Sequence, residues 1–219
     1  MTIIALGSGF NGPGSFFDKK NTVNETVYMD SRDKVKVNVY TDSNTYQAGS
    51  EGLIAVVLTH STHWHTHTND PNVPKELGDA SSYVATKLYL ESSEFITTFG
   101  DYIQWPEPTK VKVGFTGIKV DYEVFEKETT LFLPFKISQN IPKEKLSDSH
   151  FIKIKTVFQA CDKTSCLRPT PRPPSEGGDQ TSWEQYGELI NINLKKTTGA
   201  AQVNKENNLI DWSIFDANV

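Results

Sequence analysis

The 219-residue sequence predicts an all-β fold, arranged as an antiparallel sandwich. Three observations predict it. Apolar and polar residues alternate with period two in one segment after another. Those segments are short and are separated by turns rich in Gly, Pro, Asn and Asp. A helical period is almost absent, and no internal repeat is found.

Composition sets the limits. The chain is 37% hydrophobic and 22% charged with a net charge of −5, which is ordinary for a globular protein. The mild acidic excess argues against nucleic acid as a partner. No apolar run approaches the ~20 residues of a membrane-spanning helix. The start, Met1-Thr2-Ile3-Ile4-Ala5-Leu6-Gly7, has no basic segment and too short an apolar stretch for a signal peptide. The expectation is a cytosolic chain, or else a mature or trimmed form.

Residues 1–32 are rich in Gly, Asn, Ser and Thr and read as a flexible arm. Residues 34–40 alternate strictly and form the first predicted strand, followed by a turn over 46–50. Residues 53–58 are a near-continuous, β-branched-rich run, as expected of a strand in the middle of a core.

Four of the five histidines follow, in His60-Ser61-Thr62-His63-Trp64-His65-Thr66-His67. In an extended segment His63, His65 and His67 share one face, which would suit a metal. The alternative is a solvated strand end with Trp64 pointing into the core. No nearby cysteine, and no other histidine but distant His150, completes a ligand set, so no metal is expected.

A polar loop covers 70–82, and a strand covers 84–90. Residues 103–108 are extended, because Pro106 and Pro108 fix their own φ and bias their predecessors. Lys110 to Gly117 carries Phe115 between Gly114 and Gly117. Strands over 118–125 and 129–138, joined at Glu126-Lys127-Glu128, read as a hairpin. A polar connection leads to a strand over 151–158 that runs straight to Cys161. Residues 169–181 hold four prolines and two glycines and form a loop, and 186–194 form the last strand. Residues 197–219 read as linker and tail, with an apolar stretch over 209–215 able to dock. The total is about eight strands.

The only two cysteines, Cys161 and Cys166, are separated by four residues, enough to turn the chain and bring the sulfurs together. A structural staple and a redox-active pair both fit this spacing. A zinc site needs about four ligands, of which these would be half. A chain of this length buries a core without a staple, so one tight loop would add little. The measurement that separates staple from exchangeable pair is the reduction potential.

The order of motifs carries further information. It runs Trp64-His65-Thr66 before Asn69-Asp70-Pro71, then Trp105-Pro106-Glu107-Pro108, Phe115 between glycines, Tyr122, Leu131-Phe132-Leu133-Pro134, Phe158-Gln159-Ala160-Cys161 and Cys166-Leu167-Arg168-Pro169. This series resembles the N-terminal periplasmic domain of the thiol:disulfide interchange protein DsbD and its relatives, over roughly residues 33–196. At His67-Thr68 those relatives often carry aromatic residues.

The resemblance implies an immunoglobulin-like sandwich over 33–196. It implies a Cys161/Cys166 pair that takes electrons from a membrane-embedded reductase domain and passes them to periplasmic thiol proteins of thioredoxin fold, with no cofactor. Cys166 would attack and Cys161 resolve. Phe115 would cap the pair, with Trp64, His65 and Tyr122 lining the site. Lys163 and Arg168 flank the pair and would favour thiolate, although Asp162 opposes them. The implied location is periplasmic or extracytoplasmic, as the soluble part of a membrane protein. The competing reading is an immunoglobulin-like binding module with an inert disulfide, using Trp64 and Trp105 as stacking platforms.

Overall fold

The computed structural model describes residues 29–114, 117–184, 187–194 and 209–216. Eleven strands occur among them: β1 (Val35–Thr41), β2 (Glu51–His60), β3 (His65–His67), β4 (Lys87–Ser92), β5 (Ile96–Thr98), β6 (Thr109–Val113), β7 (Val120–Glu126), β8 (Glu128–Ile137), β9 (His150–Val157), β10 (Ala160–Cys161) and β11 (Glu188–Ile192). The one α-helix among the described residues, Gln180–Glu184, has five residues, too few to show a period in the sequence. The fold is the all-β antiparallel sandwich that the alternation predicts.

Three sheets make it. One has the order β1-β2-β8-β5, a second β11-β9-β4, and a third β10-β3-β7-β6. Ile54, Val56 and Leu58 of β2 and Leu131, Leu133, Phe135 and Ile137 of β8 meet Ile152 and Ile154 of β9 in the main core. These two central strands carry the long apolar runs because both of their neighbours are strands. Gly52 is required where β2 passes Phe135, since a Cβ there would lie 2.3 Å from the Phe135 ring.

The third sheet has its own smaller core. Val113, Tyr122 and Val124 pack against Leu77, brought over by the 70–84 loop, with Val73 and Tyr83 at the margin. That loop reads as polar in sequence, yet it is the lid of a second hydrophobic cluster.

Two expectations are corrected. The segments around Lys127 are not a hairpin: β7 pairs with β3 and β6, whereas β8 pairs with β2 and β5. Lys127 adopts φ 59°, and its carbonyl accepts from the His60 backbone N–H, so the chain changes sheets there. Residues 84–86 do not begin a strand. Val84 N–H donates to the Gln159 side chain and Thr86 N–H to the Thr68 carbonyl, and the ladder starts at Lys87.

The first and last described segments are tied into the fold. Within the expected arm, Ser31 is fully buried, its Oγ donating to Arg168 O at 2.8 Å and accepting from Ala160 N–H at 2.8 Å. Residues 1–28 lie outside the described part. Near the other end, the Trp212 and Phe215 rings sit 5.9 and 6.0 Å from the Phe132 ring. Gln104 also hydrogen-bonds Ile214 O and the Asp216 N–H there, so the apolar tail docks as expected.

Candidate functional site: the cysteine hairpin

Cys161 and Cys166 form a disulfide across a tight hairpin. Leu167 N–H donates to Ala160 O, and Asp162 N–H donates to Ser165 O, closing both ends of the turn. Asp162 shapes the turn from inside. Its carboxylate accepts from the backbone and hydroxyl groups of Thr164 and Ser165, at 2.7 to 3.3 Å. Burial opposes ionisation of Asp162, but these donors outweigh it and hold its pKa below the usual value. The residue that reads as opposing Lys163 and Arg168 is thus the template of the loop.

The two sulfurs have different surroundings. Cys161 is 0% exposed, whereas Cys166 reaches the surface. The difference follows from register. Cys161 on β10 pairs with His65 on β3, and β3 pairs with β7. Directly paired residues and their second neighbours share a face. Cys161, His65, His67, Val124 and Tyr122 therefore point to one side of the third sheet.

On that face His67 Nε2 lies 3.3 Å from Cys161 Sγ, and Tyr122 Oη lies 3.1 Å from His67 Nδ1. The Tyr83 ring stands 5.1 Å from the His67 ring. Burial, with help from nearby His65, pushes the pKa of His67 down to about 4, so its imidazole is neutral. Burial raises the pKa of Tyr122 and keeps its hydroxyl protonated. Gln159 braces the group, its amide donating to Leu167 O.

Of the histidines expected on one face, His63 drops out. It is exposed, lies on the turn before β3 and adopts φ 71°. His65 is buried, with its pKa lowered to about 4 by burial. Trp64 is half-buried against the main core, with the Lys34 ammonium 5.4 Å from its ring. Trp105 lies parallel to Phe125 at 6.3 Å. Both indoles thus have a face covered by the protein itself.

Of the flanking bases, Lys163 is exposed and its carbonyl accepts from Gly114 N–H at 3.5 Å. Arg168 lends its charge to Asp30 and its carbonyl to Ser31. Beside the hairpin opens a cleft of about 600 Å³, lined among others by Trp64, His65, Lys112, Val113 and Lys163.

Phe115 lies outside the described residues, but its flanks are defined. A Cβ on Gly114 would lie 2.1 Å from Ile118 O, and Gly117 has φ +86°, so both positions need glycine. The loop they frame starts beside Lys163.

The contact that sequence reasoning missed is His67 with Cys161. The two are 94 residues apart, and only the β10–β3–β7 pairing brings them together. The expectation that no cysteine neighbours the histidine cluster is corrected by it. No helix among the described residues is long and apolar enough to cross a membrane.

No protein-family model matches the chain, and no curated protein matches it. Among solved structures it is similar to the N-terminal periplasmic domain of ScsB from Proteus mirabilis, at a TM-score of 0.43 and 14% identity. The similarity covers 84% of this chain and 55% of that one, so this chain spans little more than half the length of that structure.

Proposed function

We propose that this chain is an extracytoplasmic thiol–disulfide exchange domain. Its Cys161/Cys166 pair takes two electrons from a membrane-embedded reductase and delivers them to thiol proteins of thioredoxin fold. The motif series quoted above supports this reading. The observation that carries it is the asymmetry of the pair: Cys161 is sealed against His67, and Cys166 reaches the surface. A structural staple has no use for such a difference, whereas an exchange pair needs one attacking and one resolving thiol.

The chemistry runs in two displacements. The Cys166 thiolate attacks one sulfur of the partner's disulfide, and the partner's other sulfur leaves as thiolate. The Cys161 thiolate then attacks Cys166 Sγ, displacing the partner's remaining sulfur. The partner gains two electrons and, on protonation, two thiols, while this chain returns to the disulfide. His67 sits where a hydrogen bond would steady the Cys161 thiolate.

The test is trapping. Cys161→Ala lacks the resolver and is expected to accumulate a mixed disulfide with a thioredoxin-fold partner on a non-reducing gel. Cys166→Ala is expected to trap little. Reversed trapping would exchange the two roles, and no trapping by either variant would leave the pair a staple and return the binding-module reading.

A further inference from the structure

The hairpin and the strand beside it bring together three side chains of metal-ligating type, one imidazole and two thiols. Among the described residues, His67, Cys161 and Cys166 are the one group of His, Cys, Asp or Glu whose donor atoms converge, all within 4.8 Å of one another. We propose that, once the disulfide is reduced, His67 Nε2 and the two sulfurs hold a thiophilic divalent cation of the zinc type, with a fourth position open to solvent at Cys166.

The geometry is nearly in place. Zinc binds thiolate at about 2.3 Å and imidazole at about 2.0–2.1 Å, so a tetrahedral centre separates N from S by about 3.5 Å. His67 Nε2 and Cys161 Sγ already stand 3.3 Å apart. The two sulfurs, bonded to each other in the oxidised chain, stand about 3.7 Å apart in such a centre. Cys161 is fixed in a strand, so Cys166 makes that movement, and it lies at the open side of the hairpin.

The surroundings suit a metal. His67 is 1% exposed and its Nδ1 is held by the Tyr122 hydroxyl, which orients the ring as an outer-shell partner does. A two-sulfur, one-imidazole set with an open position favours zinc-like ions over magnesium or calcium, which prefer oxygen.

The site exists in one redox state only. A dithiol reductant supplies two electrons and two protons to turn the disulfide into two thiols. The cation then displaces both thiol protons and binds two thiolates and a neutral imidazole. The oxidised pair has no thiolate to offer, so oxidation expels the ion. Conversely, a bound ion occupies both thiols and halts exchange. This proposal rests on the exchange reading in one respect, that the pair can be reduced in the folded protein.

The experiment uses the full chain, reduced with a phosphine under anaerobic conditions and titrated with Co²⁺. One equivalent is expected to give the intense visible bands of tetrahedral cobalt and thiolate-to-cobalt charge transfer, with zinc displacing it one for one. The oxidised chain is expected to give neither. His67→Ala should weaken binding more than about tenfold, and Tyr122→Phe, which keeps the ring in place, by about tenfold. His63→Ala should change nothing. Circular dichroism checks that each variant is folded.

A folded, reduced chain with two titratable thiols and no cobalt spectrum would overturn the site. So would His67→Ala and Tyr122→Phe variants that both bind as tightly as the parent. If that chain still exchanges with a thioredoxin-fold disulfide, the exchange reading survives. If cobalt binds but no exchange occurs, the metal site stands and the exchange reading falls. A pair that resists reduction in the folded chain overturns both.

Discussion

His60 and His65 are held neutral in the folded chain for the same first reason, burial. Nδ1–H of His60 donates to Lys127 O at 2.9 Å, and its Nε2 meets Thr66 Oγ1 at 3.1 Å, so the neutral ring is fully satisfied. Burial lowers its pKa, although the Lys127 carbonyl and the Glu126 carboxylate pull it back. Burial, the largest cause, and the nearby charge of His60 lower the pKa of His65 to about 4, against the opposing pull of the Asp162 carboxylate. In the unfolded chain both rings titrate near the ordinary 6.5. As pH falls from about 6.5 towards 4, the unfolded state binds protons that the folded state refuses, and stability falls over that window. At pH 5 His65 alone accounts for about 2 kcal/mol. The urea midpoint is therefore expected to drop between pH 7 and pH 5, and His65→Gln is expected to make the drop shallower, with His60 and His67 supplying the rest. An unchanged midpoint would contradict the burial of these rings.

At the level of elements, Gly114 is joined to the cysteine hairpin by its hydrogen bond to the Lys163 carbonyl. Glycine is needed at both described flanks of Phe115, Gly114 and Gly117, and the cap role of Phe115 is a proposal with a direct test. Phe115→Ala is expected to speed modification of the reduced cysteines by a thiol reagent several-fold, and an unchanged rate would remove the cap. Strand existence was readable from alternation: the runs around 35–41, 51–60 and 150–157 became strands with shifts of a few residues. Strand partnership was not. Residues 120–126 and 128–137 alternate as a hairpin would, but local pattern carries no record that Lys127 hands the chain to another sheet. The site divides the same way. The cysteine pair, Trp64, His65 and Tyr122 were visible as residue types in order, but the role of His67 depends on a pairing across 94 residues. The turn-shaping role of Asp162 was not legible, because side-chain-to-backbone hydrogen bonds inside a turn leave no pattern in sequence beyond a single acidic residue.

Over the whole molecule, the hairpin depends on Ser31, which is 129 residues away in sequence from its partner Ala160. Ser31 Oγ is the partner of the buried Ala160 N–H, immediately before Cys161. Ser31→Ala leaves that donor with no side-chain acceptor and is expected to cost about 2 kcal/mol. A urea denaturation of the oxidised protein measures it, and a loss below about 0.5 kcal/mol would mean that the strap is dispensable.

The Ser31 strap also bears on order of assembly. The bond between Cys161 and Cys166 spans five positions, so it can form in a chain with no other structure. What distinguishes the two sulfurs arrives from far away: Ser31 is 129 residues from Ala160, and His67 is 94 from Cys161. A newly made chain therefore carries two chemically equivalent thiols. They become inside and outside only when the distant segments close over one of them. The polarity of the site is thus a property of the finished topology, acquired last, even though its covalent bond is free to be made first.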